Sequence, residues 1–226
     1  MNRIAVIVAG GSGARMGGDI PKQFLTINGK AIILYTIEAF INAYPDISII
    51  LVLHRDYISY TKQLLSDADI RQNIEIVEGG NSRFQSVKNG LKIIKKDSIV
   101  FVHDAVRCLI STDLIKRCSD FASEHGSAIP VIPVRDSIRK FNRSTGTSES
   151  VSREDLYIVQ TPQTFRSDIL LPAFDIEYHE SFTDEATVVE QKGAKVSLIE
   201  GEERNIKITF PEDISLAAWR LGKTSN

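Results

Sequence analysis

The stretch IAVIVAGGSGARMGGDIPKQFL, residues 4–25, decides the fold of this chain. Its first five residues are apolar without a break, which is typical of a strand buried on both faces of a parallel sheet. Three glycines come next: Gly10, Gly11 and Gly13. Glycines let the chain turn tightly and bring backbone N–H groups close to a ligand, and Arg15 and Lys22 add two positive charges to the same loop. The stretch therefore predicts a buried strand followed by a loop that cradles a polyphosphate such as a nucleoside triphosphate.

Two familiar glycine-loop motifs do not match this loop. A dinucleotide-binding loop needs G-x-G-x-x-G and an acidic residue after the second strand, but Met16 replaces the third glycine and His54-Arg55 follow that strand. A P-loop needs G-K-[ST], which the loop lacks. A glycine loop alone is weak evidence, so the prediction depends on its combination with Arg15 and Lys22.

The rest of the chain alternates apolar runs with segments of helical periodicity. Strands are predicted at residues 48–53, 74–77 and 99–103, and helices at 32–44, 57–65 and 82–94. Further on, the pattern predicts helices at 167–174, from 183–185 onwards and from Pro211, and a strand at 196–199. This order predicts an α/β fold that is Rossmann-like, with a mostly parallel sheet between two layers of helices.

Ligands of such sheets bind beyond the carboxyl ends of the strands. Three loops with chemically useful residues follow strand ends, at residues 10–22, 79–86 and 104–107. We expect these loops to line one crevice.

A polar insertion interrupts the alternation at residues 136–157. Thr145-Gly146 lies at its middle, and short alternations on either side predict a protruding β-hairpin with its tip at residues 144–148. The insertion is either a surface excursion or an arm that reaches a partner subunit, and the pattern leaves both open. The whole chain, residues 1–226, is expected to be one domain that carries this arm.

Composition narrows the possible classes of protein. The net charge of −2 gives no support for bulk electrostatic binding to nucleic acid or to an anionic membrane, so any anion site must be built locally. Cys108 and Cys118 lack metal-ligand spacing and are too few for a disulfide framework. No apolar run approaches the roughly 18 residues of a membrane span. We expect a soluble, cytoplasmic protein.

Several polar residues stand at strand ends or in extended segments. Asp104 ends a predicted buried strand, where its carboxylate could hold a divalent metal on phosphate oxygens or a ribose hydroxyl, or could cap a helix. His103 is expected to be packed and hydrogen-bonded rather than catalytic. Lys207 and Asn205 share one face of an alternating segment. No cysteine lies beside a base in the sequence, so covalent nucleophilic catalysis has little support.

Taken together, these residues resemble one family along nearly the whole chain, the 2-C-methyl-D-erythritol 4-phosphate cytidylyltransferases. The motifs that carry the resemblance are AGGSGARMGGDIPKQFL (9–25), GGNSRFQSVKNGL (79–91), HDAVR (103–107), VRDSIRK (134–140), TPQTF (161–165), TDEA (183–186) and NIKIT-x-PED (205–213). The ribitol-5-phosphate cytidylyltransferases share this framework. The resemblance implies a Mg²⁺-dependent homodimer that joins CTP to a sugar-alcohol phosphate and releases pyrophosphate.

The resemblance also implies a role for each matching residue. Arg15, Lys22, Lys207 and Arg153 would be the catalytic cations. The nucleotide would be held by Ala9, Gly10, Gly11, Gly13, Gly80, Asn81, Ser86, Asp104 and Ala105. The acceptor would be held by Arg107, Thr161, Thr183 and Asp184, and by Ser137 and Arg153 from the arm of the neighbouring subunit. Asp104 would also hold Mg²⁺.

This chain departs from the family pattern at three places. Val106-Arg107-Cys108 replaces Ala-Arg-Pro, and Ser137 replaces a frequent threonine but keeps the hydroxyl group. Arg204 stands where an acidic residue is common, so a second carboxylate near the metal is missing unless Glu203 replaces it.

The sequence thus predicts a cytidylyltransferase of isoprenoid precursor biosynthesis that acts on 2-C-methyl-D-erythritol 4-phosphate. The alternatives are a ribitol-5-phosphate cytidylyltransferase and, from another class, a catalytically impaired nucleotide-binding regulatory module in which Arg204 marks the loss of metal chemistry.

Overall fold

The computed structural model describes residues 1–10, 20–70, 72–95 and 97–223. Its strands are β1 (Asn2–Ala9), β2 (Thr26–Ile27), β3 (Lys30–Ala31), β4 (Ser48–Leu53), β5 (Ile74–Glu78), β6 (Ser98–Asp104), β7 (Ser127–Pro133), β8 (Ile138–Asn142), β9 (Thr147–Val151), β10 (Tyr157–Val159), β11 (Gln163–Arg166) and β12 (Leu198–Glu200). Its helices are α1 (Ile32–Ala43), α2 (Ile58–Asp67), α3 (Arg83–Leu91), α4 (Thr112–His125), α5 (Ser167–Ala173), α6 (Glu185–Gln191) and α7 (Pro211–Lys223).

The central sheet has the strand order β10-β7-β11-β6-β1-β4-β5, and β12 also pairs with β7. Strands β5, β4, β1 and β6 run parallel to one another, whereas β11 is antiparallel to both β6 and β7, and β10 is antiparallel to β7. The predicted fold class, a mostly parallel sheet between helices, is confirmed. Helix α4 and strand β7 continue the alternation of strands and helices through residues 112–133, where the sequence pattern predicts neither element.

The strand register brings four strand ends to one level. Val8 of β1 pairs with Asp104 of β6, while Ala9 pairs with Leu53 of β4. Leu53 in turn pairs with Glu78 of β5. The loops that leave these strands therefore start side by side at the carboxyl edge of the sheet.

Alternate residues of each central strand pack into different cores. Ala5 and Ile7 of β1 are fully buried in a core that also contains Phe40 of α1 and Leu114 of α4. Val6 faces the opposite side of the sheet, into a core that contains Val87 of α3, Leu170 of α5 and Val189 of α6. Strand residues that are buried on both faces explain the unbroken apolar run that opens the chain.

The polar insertion forms the predicted hairpin. β8 and β9 pair in antiparallel register from Ile138↔Val151 to Asn142↔Thr147, and they make a two-stranded sheet separate from the central one. The side chain of Phe141 on β8 is largely exposed. A separate exposed hairpin is the geometry that an arm requires.

Candidate active site

A crevice of about 520 Å³ opens at the carboxyl edge of the sheet. The residues that line its described part come from six segments of the chain: Val8, Ala9, Gly10, Lys22, Gln23, His54, Gly80, Asn81, Ser82, Arg83, Ser86, Asp104, Ala105, Val106 and Lys207. The three loops predicted to meet thus do so, and Lys207 joins them from a distant segment. The predicted positions Gly11, Gly13 and Arg15 lie outside the described residues.

Ser86 fixes the 79–86 loop and lies against the end of β1. Its Oγ accepts a hydrogen bond from the N–H of Gly80 (3.1 Å) and donates to the carbonyl of Ser82 (2.9 Å). A Cβ atom at Gly10 would lie 3.2 Å from this Oγ, and one at Gly79 would lie 3.1 Å from it. Glycine at both positions lets the ends of β1 and β5 close around Ser86 and leaves bare backbone at the crevice wall.

Lys22 is placed by its neighbours in a short 3₁₀ turn. The side chain of Gln23 is buried and donates to the carbonyl of Ala9 (2.7 Å), while Phe24 stacks on Tyr57 (5.2 Å between ring centroids). The Gln23 hydrogen bond holds the turn against the end of β1, and the Phe24 stack holds it against the residues that follow β4. Lys22 lines the crevice there.

Asp104 lies at the centre of the charged groups. Its side chain is only 10% exposed, with Oδ2 2.9 Å from Lys207 Nζ and 3.6 Å from Arg107 Nε. Oδ1 is 3.4 Å from Arg83 Nη2. Burial acts to raise the pKa of Asp104, but the charges of Arg83, Lys207 and Arg107 outweigh burial and hold that pKa well below its ordinary value. Asp104 therefore stays ionised at neutral pH.

Lys207 lies in an irregular segment that is fixed on both sides. Asn205 is buried and its Nδ2 donates to the carbonyl of Thr161 (2.8 Å). The N–H of Ile208 donates to the carbonyl of Val106 (3.0 Å), and the Ile208 side chain is fully buried. Lys207 reaches Asp104 from between these two anchors.

His103 is a packed histidine, as the sequence predicts. It is fully buried, and its Nε2 lies 3.2 Å from the carbonyl oxygen of Arg107. Because a carbonyl oxygen can only accept a hydrogen bond, Nε2 carries the proton of the neutral ring. Nδ1 is thus left to accept from the Thr161 hydroxyl at 3.1 Å. Burial disfavours the charged imidazolium and lowers the pKa of His103 to about 3.

The residues predicted for the acceptor fall into two groups. Arg107 and Thr161 belong to the Asp104 cluster: Arg107 donates to the carbonyl of Asn205 (2.9 Å), and the Thr161 hydroxyl accepts from the N–H of Asp104 (3.1 Å). Thr183 is exposed, and Asp184 caps α6 by accepting from the N–H of Thr187 (2.9 Å). Their contacts with an acceptor stay predictions.

The two predicted arm residues are both exposed. Ser137 precedes β8, and Arg153 follows β9 and donates to the carbonyl of Arg135 at the base of the hairpin. Arg135 also forms an ion pair with Glu203 (2.9 Å). Glu203 therefore faces the arm rather than Asp104, and it is not among the described residues that line the crevice.

Sequence reasoning assigned no role to Arg83 and Glu185, although both lie within motifs that carry the resemblance. Arg83 lines the crevice and contacts both Asp104 and Glu185. Glu185 is only 1% exposed. The two residues are 102 positions apart, so no local pattern could reveal that they pair.

Glycine loops at the carboxyl edge of a parallel sheet, together with cations gathered around one carboxylate, are the features of a nucleotidyltransferase. The family model described as "IspD: 2-C-methyl-D-erythritol 4-phosphate cytidylyltransferase" matches residues 3–223. The chain belongs to this family.

Individual relatives and solved structures agree with this family assignment. The enzyme of Phocaeicola vulgatus is 44% identical over 217 residues, which are 96% of this chain and 98% of that one. The enzyme of Bacteroides thetaiotaomicron is 41% identical over 98% of this chain and 100% of its own. The crystal structure of the Francisella tularensis enzyme superposes with a TM-score of 0.79 at 30% identity, covering 97% of this chain and 100% of that one. The 4-diphosphocytidyl-2C-methyl-D-erythritol synthase of Anaerococcus prevotii gives 0.83 at 26% identity, with 98% and 96% covered.

The comparisons confirm the predicted family, fold class, enzyme class and cytidylyltransferase function. The described part of the chain has no helix long and apolar enough to cross a membrane.

Proposed function

We propose that the protein transfers the cytidylyl group of CTP to 2-C-methyl-D-erythritol 4-phosphate, which yields 4-diphosphocytidyl-2-C-methyl-D-erythritol and pyrophosphate. The observation that carries the proposal is the Asp104–Lys207 pair, 2.9 Å apart, which faces the 80–86 loop across one crevice. The family's name supports the choice of acceptor.

The crevice divides into parts that suit the parts of CTP. Asn81, which is exposed, and the half-buried Gly80, whose backbone is fixed by Ser86, would face the cytosine edge. Ala105, which follows Asp104, suits the ribose. The backbone of Ala9 and Gly10 and the Lys22 ammonium suit the triphosphate, together with Gly11, Gly13 and Arg15.

The reaction needs positioning and charge rather than a base. An oxygen of the acceptor phosphate attacks the α-phosphorus of CTP, and the bond from that phosphorus to the oxygen bridging the β-phosphate breaks, so that pyrophosphate leaves. A phosphate monoester has a second pKa of about 6, so its oxygen is already anionic at neutral pH. Lys22, Lys207 and Arg15 would stabilise the negative charge that accumulates as the two anions meet.

Mg²⁺ suits the donor set of the crevice. Asp104 is the only carboxylate among the described residues that line it, and those residues contain no cluster of three or more His, Cys, Asp or Glu side chains that could hold a metal. Mg²⁺ is commonly bound by one or two carboxylates together with substrate phosphates and water. Asp104 would hold the ion on the triphosphate, where it would neutralise charge on the phosphate oxygens.

We further propose that the acceptor half of each site is completed by a second copy of the chain. Supporting this, Tyr157, Ile158 and Val159 of the edge strand β10 are 49%, 51% and 39% exposed, directly after the arm. An apolar edge strand that stays uncovered invites pairing with another chain. Ser137 and Arg153 would then reach the acceptor phosphate of the partner's site, while Arg107, Thr161, Thr183 and Asp184 serve their own.

Pyrophosphate release tests the reaction. CTP is incubated with 2-C-methyl-D-erythritol 4-phosphate or with ribitol 5-phosphate, and UTP replaces CTP as a control. We expect release with CTP and the methylerythritol phosphate. Faster release with ribitol 5-phosphate would show that ribitol 5-phosphate is the acceptor. Tight CTP binding without pyrophosphate release for either acceptor would support the regulatory module instead.

Mixed subunits test the arm. Arg15→Ala chains and Arg153→Ala chains are each expected to be inactive, but a heterodimer contains one site with neither substitution if the arm acts on the partner. Activity should therefore return in verified heterodimers. Heterodimers as inactive as the parents would show that each arm serves its own subunit.

A further inference from the structure

Arg83 and Glu185 form a partly buried ion pair between two helices that lie far apart in the chain. Arg83 is the first residue of α3 and Glu185 the first residue of α6. Arg83 Nη2 donates to Glu185 Oε2 (3.1 Å), and Nη1 donates to Oε1, so both carboxylate oxygens are engaged. The Glu185 side chain is only 1% exposed, so water solvates its charge poorly. Among the described residues, Arg83 is the cation that balances this charge.

The other edge of the same guanidinium faces the active-site carboxylate. Arg83 Nε and Nη2 both lie 3.4 Å from Asp104 Oδ1. Lys207 takes the second oxygen, Oδ2, at 2.9 Å. Arg83 is thus divided between two carboxylates, with the shorter contacts to Glu185.

Glu185 is itself firmly placed. Gln163 of β11 accepts from the N–H of Ala186 (2.7 Å) through Oε1 and donates to Asp184 Oδ2 (2.9 Å) through Nε2. One buried amide therefore fixes the first turn of α6 on both sides of Glu185. Phe84, next to Arg83, stacks on Phe174 (5.0 Å) and holds α3 against the segment that leads to α6.

We propose that Arg83 and Glu185 are positioning residues for Asp104, an inference that rests on the proposed function. Arginine and a carboxylate prefer a two-pronged contact. Glu185 occupies that contact, so Arg83 touches only Oδ1 of Asp104 and leaves Oδ2 to Lys207 and Arg107 on the side that faces the substrates. A buried ion pair contributes little net stability, because desolvation offsets the attraction, and placement is therefore the better explanation of its presence here.

The pair also joins the two halves of the site. Arg83 follows the 80–82 loop, which we assign to the cytosine, and Glu185 follows Thr183 and Asp184, which we assign to the acceptor. A displaced pair would misalign the two substrates even when each still binds.

Three variants test the proposal, with Glu190→Gln as the matched control because Glu190 lies exposed on the same helix. Glu185→Gln keeps the shape of the side chain and removes its charge. Arg83→Lys keeps the positive charge, but a single ammonium group cannot make a two-pronged contact with Glu185 and also reach Asp104. Arg83→Met removes the charge. The measurements are kcat, the KM of each substrate, and calorimetric binding of a non-hydrolysable CTP analogue.

Misplacement of a reacting group by about 1 Å costs roughly 100-fold in rate, so we expect kcat of Glu185→Gln to fall about 100-fold. Affinity for the CTP analogue, and its binding stoichiometry, should stay near the wild-type values. Arg83→Lys should be as impaired as Arg83→Met, and Glu190→Gln should match the wild type. Partial unfolding would instead lower the binding stoichiometry.

The proposal is overturned if Arg83→Lys restores the wild-type rate, since charge alone would then suffice, or if Glu185→Gln behaves like Glu190→Gln. The proposal is also overturned if the rate and the binding stoichiometry fall by the same factor, because unfolded protein would then explain the whole loss of rate. A wild-type protein that releases no pyrophosphate is a different result, which refutes the proposed function rather than the positioning role.

Discussion

Replacing Lys207 with methionine separates the catalytic and structural contributions of one cation. The Lys207 ammonium lies 2.9 Å from Asp104 Oδ2 at the crevice, where the acceptor phosphate and the α-phosphate of CTP would meet. Loss of one preorganised donor to a charged transition state costs about 10²–10³ in kcat, or about 2.7–4 kcal/mol. We expect a loss of that size in Lys207→Met.

The expected effect on stability is much smaller. The Lys207 side chain is 39% exposed, and an exposed ion pair contributes at most about 1 kcal/mol. For a chain of this length, about 1 kcal/mol corresponds to a Tm shift of about 2–4 °C. Asp104 also keeps Arg83 and Arg107 as charged partners in the variant.

The assay is pyrophosphate release at saturating concentrations of both substrates, with thermal unfolding measured on the same samples. Lys30→Met is the control, because Lys30 is similarly exposed (32%), forms an ion pair with Glu38 and does not line the crevice. A folded Lys207→Met protein with kcat within about tenfold of the wild type would refute the role assigned to Lys207. A Tm drop far beyond about 4 °C would show that Lys207 instead supports the fold.

Three other substitutions give distinct outcomes. Lys22→Ala should lower kcat by about two to three decades in the same assay, and near-wild-type turnover would remove Lys22 from the catalytic cations. Phe40→Ala, at a fully buried ring against Phe101, should lower the free energy of unfolding in urea by about 3–5 kcal/mol, and a loss below about 1 kcal/mol would contradict the packing. The pKa of His103 is about 3 in the folded protein against 6.5 for the free side chain, so the unfolded chain binds its proton first as pH falls. Stability should therefore decrease from pH 6.5 towards 3 with a slope of up to about 1.4 kcal/mol per pH unit from this group, and His103→Gln should flatten that slope in urea titrations.

The sequence was sufficient to predict the scaffold because the scaffold depends on local patterns. The apolar runs at β1, β4 and β6 follow directly from burial on both faces of the sheet. The rule that ligands bind at the carboxyl strand ends then placed Asp104 beside the 79–86 loop without knowledge of the register. The hairpin at 138–151 followed from alternation and a glycine turn.

The pairing of charges could not be predicted in the same way. Arg83 could have paired with many acidic residues, and only the meeting of α3 and α6 selects Glu185. Similarly, the predicted extended segment around Lys207 forms no strand, because its backbone N–H groups donate to Glu202, Arg204 and Val106 rather than to one neighbouring strand. Contacts of this kind depend on tertiary packing, which overrides local preference.

The charges around Asp104 explain how a chain of net charge −2 can attract two anions. Three cations, Arg83, Arg107 and Lys207, surround two carboxylates, Asp104 and Glu185, so the described cluster keeps one excess positive charge before Lys22 is counted. The cations are needed for Asp104 as well as for phosphate, because burial alone would raise the pKa of Asp104 and favour its neutral form. A neutral Asp104 could not hold Mg²⁺. Lys207 would therefore act twice, once on the substrates and once, together with Arg83 and Arg107, by keeping ionised the carboxylate that would bind the metal.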